Sequence, residues 1–529
     1  MSPSLTGGEL VARSLAQHGV ELVFGIPGTH NLPLYAHLEA HGLRHVSPRH
    51  EQGGGYAADA YARVSGRPGV VITTAGPAVM NVATAAAQAH SDSSPLLVVA
   101  PGMPRAHPAA RSGHLHEMPD QAGAMRGATG HSVRVMSHAE LASELAAAFI
   151  AFRTERPGAR FVEVPLDLLA EPGDVEPPAL QHTGRTRPAP AAVADAVERL
   201  RGAHRPGIVA GGGAAGAAKA LQALAERLGA PVITTVNGKG TLREDHPLAL
   251  GARLNLPAAR AWLEGECDLV LAVGTELGES DLWGPPLALG GALVRVDLDP
   301  RQAHTNHPAS VAVIGDAGDA LALIGEALDG VPPDGGAARA AVLRARLDAE
   351  HAERGARYAP WLAALRDALP ADAVIAADNA MAAYHGAIGG LPVTRPRSLL
   401  FPTGFGTLGF AVPAAIGAAL GAPDRPVAAL SGDGGLMFTV AELAMAAELG
   451  LSLPVVVFVN EGYGEIRNQM LEAGQPPVGV DLPVPDLPGV ARALGCEGVP
   501  VADPDGLRAA VAAALTAPVP TLITVPEGR

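Results

Sequence analysis

Cysteine and lysine are scarce in this chain of 529 residues. Cys267 and Cys496 lie far apart and show no CxxC or zinc spacing, which excludes a disulfide framework and indicates a reducing, cytoplasmic setting. Arginine supplies nearly all of the positive charge because Lys219 and Lys239 are the only lysines, and the formal net charge is −15. Nucleic-acid surfaces need concentrated basic residues, so we expect no nucleic-acid partner. An anion site in this chain must therefore use backbone amides or a metal ion.

Long apolar runs are also missing, so we expect no membrane partner. The first twenty residues lack the basic start and apolar stretch of a secretory signal. Aromatic residues make up only 3% of the chain, whereas 48% of it is hydrophobic, with plentiful glycine and alanine. This composition indicates small-residue helices that pack closely on β-sheets.

The length predicts about three domains at roughly 150 residues each. Apolar strands alternate with helical segments, as in the predicted strand 70–74, helix 77–89 and strand 95–99. This alternation predicts parallel sheets covered on both faces, and segments rich in proline and glycine at 171–191 and 331–339 predict linkers. The predicted fold is α/β, with three doubly wound parallel-sheet domains at residues 1–172, 190–330 and 355–529.

Two predicted strands of the third domain end in polar, glycine-rich segments. Strand 427–430 runs into SGDGG and strand 455–459 into NEGYG, so Asp433 and Asn460 follow consecutive strands with the spacing of a βαβ unit. Carboxylate, amide and glycine carbonyl oxygens are ligands that Mg²⁺ prefers, here with Gly462 as the carbonyl donor. The pattern predicts a site for Mg²⁺ and a diphosphate, although GDGG alone is equally typical of a turn.

A glutamate in the first domain precedes an unusual run of glycines. Glu51 stands two residues before three consecutive glycines, 53–55, in a segment with a helical pattern. Each glycine costs roughly 1 kcal/mol against alanine in a helix, so we expect a neighbouring helix or a flat ligand to approach this backbone closely. A metalloprotease HExxH motif is excluded because Gly54 stands where its second histidine belongs. Taken alone, Glu51 is more typical of a carboxylate stabilised at a helix N-terminus.

Together these motifs resemble thiamine-diphosphate enzymes of the acetolactate synthase, pyruvate oxidase and benzoylformate decarboxylase group. Their signature is GDG followed by just under thirty residues and an asparagine. The resemblance implies that Asp433, Asn460 and the Gly462 carbonyl bind Mg²⁺ and that Glu51 contacts the aminopyrimidine ring of thiamine diphosphate. It also implies an obligate homodimer or homotetramer, with each cofactor between the first domain of one subunit and the third domain of another. The chain departs from the family in having Glu461 where a second asparagine is usual.

Further segments match the same family in order along the chain. By this resemblance, Leu408 replaces the bulky apolar residue that holds the cofactor bent, and Gly406 offers a carbonyl to the aminopyrimidine. A leucine alone is as readily a core residue. The full set of cofactor-binding residues implied by the resemblance is Pro27, Gly28, Glu51, Thr74, Gly76, Asn81, Gly406, Leu408, Gly432, Asp433, Gly434, Gly435, Asn460, Gly462, Tyr463, Gly464, Glu465 and Ile466.

The middle domain contains GGGAAG at 211–216, a formal match to the dinucleotide motif GxGxxG after the predicted strand 208–210. An NAD site also needs an acid at the end of the next strand, and the segment 234–236 offers none, which argues against a dehydrogenase. Middle domains of the resembled family carry this glycine turn with FAD, with another nucleotide or with nothing. FAD is therefore a possible second cofactor.

The family signature does not choose between release of an aldehyde and carboligation with a second 2-oxo acid. Acetolactate synthases usually carry an FQE block and a tryptophan after the metal motif, and the segments 114–121 and 465–470 contain neither. We therefore favour a 2-oxo acid decarboxylase with a larger or polar pocket, with an acetolactate synthase-like carboligase as the alternative. If Glu117, Asp120 or Glu465 faces the pocket, the expected small-molecule substrate is a guanidino-type 2-oxo acid.

The predicted catalytic residues are Glu51, His30, His116 and Gln121. The two histidines are candidates for proton transfer, although His116 is equally typical of a surface loop. A cofactor-binding regulatory paralogue is the non-enzymatic alternative. The presence of Glu51, Asp433 and Asn460 argues against this alternative.

Overall fold

The computed structural model describes residues 4–108, 111–179, 183–328 and 335–528. These residues form three six-stranded sheets and one two-stranded sheet. All strand pairs of the three large sheets are parallel, and most of their residues are buried, as expected for sheets covered by helices on both faces. The predicted α/β fold with three parallel sheets is confirmed. The part of the predicted linker 331–339 that precedes residue 335 lies outside the described residues.

The first sheet has the strand order β3-β2-β4-β5-β7-β6, and a separate antiparallel pair joins β1 to β8. Its strands and the two short paired strands are β1 Leu5–Thr6, β2 Leu22–Gly25, β3 Arg44–Val46, β4 Gly69–Ile72, β5 Leu96–Gly102, β6 His131–Arg134, β7 Ala159–Pro165 and β8 Pro172–Gly173. The helices of this part are α1 Gly7–Gln17, α2 Leu32–Tyr35, α3 Glu51–Ser65, α4 Pro77–Ser91, α5 Gln121–Thr129, α6 His138–Thr154 and α7 Leu166–Ala170.

The middle sheet has the order β11-β10-β9-β12-β13-β14, the arrangement of dinucleotide-binding folds. Its strands are β9 Pro206–Ala210, β10 Val232–Thr234, β11 Ala249–Gly251, β12 Leu269–Val273, β13 Ala292–Asp297 and β14 Val311–Ile314. Its helices are α8 Pro190–Arg201, α9 Ala218–Leu228, α10 Pro257–Ala261, α11 Glu279–Leu282 and α12 Ala317–Ala327, and α13 Gly336–Gly355 leads onward to the last sheet.

The third sheet has the order β16-β15-β17-β18-β20-β19, which is the order of the first sheet when each is numbered from its own first strand. Its strands are β15 Val374–Ala377, β16 Leu399–Leu400, β17 Val427–Gly432, β18 Pro454–Val459, β19 Glu497–Pro500 and β20 Thr521–Pro526. Its helices are α14 Ala359–Ala368, α15 Ile388–Gly390, α16 Ala411–Gly421, α17 Asp433–Leu436, α18 Glu442–Glu448, α19 Gly464–Glu472, α20 Leu487–Ala493 and α21 Pro504–Ala514.

Helices α3 and α16 pack against each other and join the first and third sheets in one buried apolar cluster. Gly417 on α16 lies so close to α3 that a Cβ atom there would overlap the carbonyl oxygen of Ala57. On another side of α3, a Cβ at Gly55 would overlap the Cβ of Ala85 on α4. The glycines of α3, which are unfavourable in a helix, are therefore explained by the close approach of neighbouring residues, as the sequence predicted.

The segment after Asn31 forms the single helical turn α2, with Pro33 in its first turn. The predicted linker 171–191 contains strand β8, which pairs with the N-terminal strand β1. The bounds given above for the three domains stay predictions. In the described part of the chain, none of the helices is both long and apolar enough to cross a bilayer.

Candidate active site

Asp433 follows strand β17 and is almost fully buried, with 3% of its surface exposed. Its Oδ2 accepts the backbone N–H of Glu461 at 2.8 Å. Burial raises the pKa of this carboxyl group. Glu461 has a left-handed backbone with φ of 62°, a conformation that asparagine tolerates better than glutamate. This preference is a physical reason for asparagine to be usual at that position.

Three oxygen atoms converge beside Asp433. The Asn460 side-chain oxygen lies 3.0 Å from the carbonyl oxygen of Gly462 and 3.3 Å from Asp433 Oδ1. Oxygens without a proton between them repel, and one of these belongs to a carboxylate, so this orientation of the amide is favourable only with a cation between the oxygens. Oxygen ligands about 2.1 Å from an octahedral Mg²⁺ lie roughly 3 Å from one another. The residues present therefore fit a magnesium ion.

Strand ends and glycines shape the space next to these oxygens. A Cβ at Gly434 would lie 3.0 Å from both the carbonyl oxygen of Gly462 and the ring of Tyr463. The buried Asp378, which follows strand β15, has its carboxylate beside Gly435 and accepts the N–H of Gly409 at 3.0 Å. Burial raises the pKa of Asp378 to about 6. We did not predict Asp378 from the sequence, although an acid directly after an apolar strand was a usable signal.

The loop 403–410, which carries Gly406 and Leu408, crosses in front of this edge. Gly406 is exposed with φ of 67°, and Leu408 is half-buried. Asp92 of the first domain accepts the N–H of Gly404 at 2.8 Å, which ties the start of the loop to helix α4. The main chain of this loop is thus held from two domains.

Glu465 lies on the first turn of α19, directly after the loop that contains Gly462. Its Oε1 accepts the amide of Gln469 at 2.9 Å, and its Oε2 lies 3.6 Å from His385 Nε2, too far for a hydrogen bond. The nearby imidazole lowers the pKa of Glu465. Tyr384 stands next to His385, and the half-exposed Trp283 of the middle domain meets Tyr384 edge-on at 5.6 Å between ring centres. Ile466, which follows Glu465 on α19, is exposed.

Glu51 is the first residue of α3 and is buried, with 8% of its surface exposed. Its Oε2 accepts the side-chain amide of Asn81 on α4 at 2.9 Å. Together with burial, its charge raises the pKa of Tyr35. Glu51 and Asn81, two of the predicted cofactor-binding residues, thus lie together in the structure.

Glu442 of the third domain holds the segment that leads into Glu51. Its fully buried carboxylate accepts the backbone N–H groups of Arg49, at 3.0 Å, and of His50, at 2.9 Å. A Cβ at Gly53 would overlap this carboxylate, which explains the glycine. Burial raises the pKa of Glu442 to about 7. The sequence offered no signal for this contact, because nearly four hundred residues separate the partners.

The turn with Pro27 and Gly28 meets the end of β4. A Cβ at Gly28 would lie 2.9 Å from the Thr74 side chain, whose hydroxyl is buried without a hydrogen-bond partner among the described residues. The N–H of Gly76 donates to Gln121 Oε1 at 2.8 Å, and Gln121 Nε2 donates to the carbonyl of residue 101 at 2.9 Å. Both ends of the Gln121 amide are occupied by main chain, which favours a positioning role for it.

His30 and His116 lie edge to face, with ring centres 5.0 Å apart. The Nδ1 atoms of both rings are buried and have no hydrogen-bond partner among the residues described. Burial and the neighbouring His116 lower the pKa of His30. The main chain of His116 is left-handed, with φ of 60°, and abuts Gly76. The two predicted histidines therefore form one pair beside the Gly76 turn.

Two of the acids considered for substrate binding are occupied elsewhere. Glu117 accepts the N–H groups of Ser112 and Gly113, each at 2.9 Å, and these contacts lower its pKa. Asp120 caps helix α5 by accepting the N–H of Gly123 at 2.7 Å. Glu465 is the member of the three that adjoins the metal-site loop.

The site residues fall into two groups within one chain. The first group surrounds Glu51, His30 and Gly76, and the second surrounds Asp433 and Asn460. In the ranges that the structure describes, no hydrogen bond or ion pair joins a predicted site residue of one group to one of the other.

A cavity of about 280 Å³ lies where the three domains meet, outside the strand ends of β9 and β12. This is the point at which the strand order of the middle sheet reverses, a common ligand position. Gly212 and Gly213 of the predicted glycine turn line it, but the N–H of Gly213 already donates to the carbonyl of Gly274 at 3.1 Å. Asp281 and Asp297 also line it, and burial raises the pKa of Asp281 to about 7.

The fold and its strand-end residues define the class of protein: the chain belongs to the thiamine pyrophosphate enzyme family. Three family models match it, the N-terminal TPP binding domain over residues 5–124, the central domain over 193–324 and the C-terminal TPP binding domain over 380–525. The family resemblance seen in the motifs is confirmed.

Among curated proteins, the chain is 45% identical to a probable 2-ketoarginine decarboxylase of Pseudomonas aeruginosa, over 93% of this chain and 89% of that protein. It is 34% identical to an acetolactate synthase large subunit of Parasynechococcus marenigrum, over 99% of this chain and 87% of that protein. It is 32% identical to the acetolactate synthase isozyme 2 large subunit of Escherichia coli, over 98% of this chain and 95% of that protein.

Proposed function

We propose that this enzyme decarboxylates a guanidino 2-oxo acid of the 2-ketoarginine type and releases the aldehyde. The observation that carries the proposal is the 45% identity with a probable 2-ketoarginine decarboxylase across nearly the whole chain. When bound, thiamine diphosphate supplies the electron sink that makes loss of CO₂ from a 2-oxo acid possible.

The third domain holds the diphosphate end of the cofactor in this proposal. Asp433, Asn460 and the Gly462 carbonyl would bind Mg²⁺, since their three oxygens converge with the spacing of octahedral ligands. Gly434 and Gly435 let the main chain approach the phosphates closely. The metal supplies the positive charge that a chain with two lysines does not concentrate there.

In this proposal Glu51 would hold the aminopyrimidine end of the cofactor and would exchange a proton with its ring nitrogen. Asn81 supports this role because its amide fixes one carboxylate oxygen of Glu51 and leaves the other free. Glu442 also supports this role, because its carboxylate accepts the backbone N–H groups of Arg49 and His50, directly before Glu51. A group that transfers protons must be held within hydrogen-bond reach, and these contacts limit the freedom of Glu51.

His30 and His116 supply the proton that converts the decarboxylated substrate to an aldehyde. Their unpartnered Nδ1 atoms support this role, because a buried polar atom without a partner is costly unless a ligand uses it. The lowered pKa of His30 indicates a ring that is neutral at pH 7 and available to pass protons. Gln121 positions Gly76 next to this pair.

Glu465 binds the guanidinium group of the substrate. It is ionised, adjoins the metal-site loop, and its Oε2 has only His385 nearby among the described residues. A planar guanidinium forms paired hydrogen bonds with a carboxylate and stacks on aromatic rings, and Tyr384 and Trp283 stand on the same side. Glu117 is held by two main-chain N–H groups and Asp120 caps helix α5, so Glu465 is the acid of the three that adjoins the metal-site loop.

The active site is completed by a second copy of the chain. The absence of a direct hydrogen bond or ion pair between the Glu51 group and the Asp433 group, among the described residues, supports a homodimer or homotetramer in which each cofactor would contact two subunits. Exposed apolar side chains beside both groups, among them Met80, Phe405, Met437 and Phe438, support a covered surface there.

FAD stays a prediction. The cavity at the reversal of the middle sheet supports a bound nucleotide there. Two features argue against binding of the FAD diphosphate there. The N–H of Gly213 already donates to another group, and the carboxylates of Asp281 and Asp297 line the same cavity. Visible flavin absorbance in the purified protein checks this prediction.

Carboligation is the second candidate, and the similarity to acetolactate synthases favours it. An assay of both products with a panel of 2-oxo acids decides between the two. We expect aldehyde release with a preference for 2-ketoarginine over pyruvate and aliphatic 2-oxo acids. Equal use of basic and aliphatic substrates, or acetolactate as the main product, would contradict the proposal. A regulatory paralogue would show no turnover with any of them.

A further inference from the structure

The side-chain amide of Asn460 has two possible orientations. In the structure its oxygen faces two other oxygens, the carbonyl of Gly462 at 3.0 Å and Asp433 Oδ1 at 3.3 Å. In the swapped orientation its NH₂ group would donate hydrogen bonds to both. Without a cation, the loop by itself therefore favours the swapped amide, which presents hydrogens where the metal belongs.

A carboxylate at the far end of the amide opposes this swap. Asn460 Nδ2 donates to Glu527 Oε2 at 3.3 Å. A swapped amide would set its oxygen against this carboxylate and lose the hydrogen bond. Glu527 thus distinguishes the two orientations of Asn460, and it does so from the last residues of the chain.

Glu527 is itself held in place. Its other oxygen, Oε1, accepts the hydroxyl of Tyr358 at 2.6 Å, and its N–H donates to the carbonyl of Val459 at 3.0 Å. Tyr358 is 1% exposed, and its ring meets Phe458 of strand β18 edge-on. The carboxylate therefore stands at a fixed position one layer behind the metal ligands.

We propose that Glu527 is a positioning residue that keeps the amide oxygen of Asn460 turned toward the metal ion. The proposal rests on the magnesium site proposed above. Groups that orient metal ligands from behind typically change metal affinity by roughly 10–100-fold when they are removed. Nothing in the family motifs around Asp433 and Asn460 points to this residue, which directly follows β20, the neighbouring strand of the sheet.

The test measures binding of Mg²⁺ to the full-length protein in the presence of thiamine diphosphate, by titration calorimetry. We expect Glu527→Ala to weaken Mg²⁺ binding about 10–100-fold. Glu527→Gln is the matched control, because its amide oxygen still accepts from Asn460 and its NH₂ donates to the Tyr358 oxygen, so affinity stays near that of the parent. Equal affinity in the alanine variant and the parent would overturn the proposal.

A second background separates orientation from general support of the fold. In Asn460→Asp both side-chain oxygens are equivalent, so no orientation has to be kept, and Glu527 only repels the new carboxylate. Adding Glu527→Ala to that variant should strengthen Mg²⁺ binding. If the alanine weakens binding by the same factor in both backgrounds, Glu527 acts through the fold and the proposal is wrong.

Asp433→Ala distinguishes failure of this proposal from failure of the metal site. If Asp433→Ala keeps full Mg²⁺ affinity, the site itself is misplaced. If it loses affinity and Glu527→Ala does not, only the role of Glu527 fails. Thermal unfolding of each variant without cofactor checks that the fold is intact.

Discussion

The first and third domains share one strand order, yet the same edge of the sheet carries different chemistry in each. In the third domain, Asp378 and Asp433 follow the two strands between which the order reverses. In the first domain, neutral segments that contain Pro27 and Thr74 follow the equivalent strands β2 and β4, and the acid Glu51 stands on a helix instead. The comparison teaches that acids stand at this edge in the third domain only, which agrees with the proposal that the third domain holds the charged end of the ligand while the first domain acts on it.

The two domains also hold each other in a reciprocal way. Helices α3 and α16 both follow the second strand of their sheets, and the segment before each helix is bound by a carboxylate from the other domain. Glu442 accepts N–H groups at the start of α3, and Asp92 accepts the N–H of Gly404 in the loop before α16. The chemistry therefore differs while the supporting contacts are alike.

The largest effect that tests this comparison is expected from Asp433→Ala. Removal of a ligand carboxylate should abolish Mg²⁺-dependent cofactor binding, beyond the roughly 10–100-fold seen for residues that only support a ligand. Titration with thiamine diphosphate and Mg²⁺ measures the loss. Retained cofactor binding would show that the edge of the third sheet does not hold the charged ligand.

Glu51→Gln should have the next largest effect, and on a different quantity. We expect cofactor and Mg²⁺ binding to stay near normal, while turnover falls about 10²–10⁴-fold, because the amide cannot exchange a proton. Steady-state kinetics together with cofactor titration measure both. A variant with unchanged turnover would remove Glu51 from the mechanism.

The third prediction concerns Glu465. Glu465→Gln should raise the KM for 2-ketoarginine by roughly 10–100-fold, since a hydrogen bond to a charged group contributes about 1.5–3 kcal/mol. The KM for an aliphatic 2-oxo acid should change little. Glu472→Gln, at the exposed end of the same helix, is the matched control. A similar rise with both substrates would argue against guanidinium binding.

Co-expression of two inactive variants should give a smaller but diagnostic recovery of activity. Co-expression of Glu51→Gln with Asp433→Ala should restore about a quarter of the normal activity, because half of the dimers are mixed and each has one intact site. The activity of the mixture and of each variant alone is measured at equal concentration. No restoration would place both groups in one subunit.

The smallest effect is expected from replacing Glu442, which holds the segment before α3. Its pKa of about 7 lies above its unfolded value, so the folded state binds the extra proton between about pH 4.5 and 7. Stability therefore falls as pH rises through this window, and Glu442→Gln should remove up to about 3 kcal/mol of that dependence. Denaturant unfolding at several pH values measures it, with the exposed Glu448→Gln on the same helix as control. If the dependence of stability on pH were the same in Glu442→Gln and the parent, the raised pKa of Glu442 would be contradicted.

The sequence predicted the fold well wherever a strand is a short, continuous apolar run. Strand β12, Leu269–Val273, is wholly buried, and such a run between turn residues is a strong local signal. The strand order was not predictable, because it depends on contacts between distant segments.

The motifs of the candidate site could be predicted from the sequence, whereas the residues that hold those motifs in place could not. Asp433 and Asn460 follow strands directly, so local sequence places them at one edge. Glu442 and Glu527 act on residues far away along the chain, and single acids among many acids carry no local signal. Physical contact, which the sequence does not display, identifies them.

The close packing of α3 and α16 limits how this enzyme can be altered. Because Gly417 rests on the carbonyl of Ala57 with no side chain between them, neither helix can tilt or slide alone. Engineering for new substrates should therefore leave this rigid frame untouched and begin with exposed side chains outside it, such as Ile466 beside the proposed guanidinium ligand Glu465.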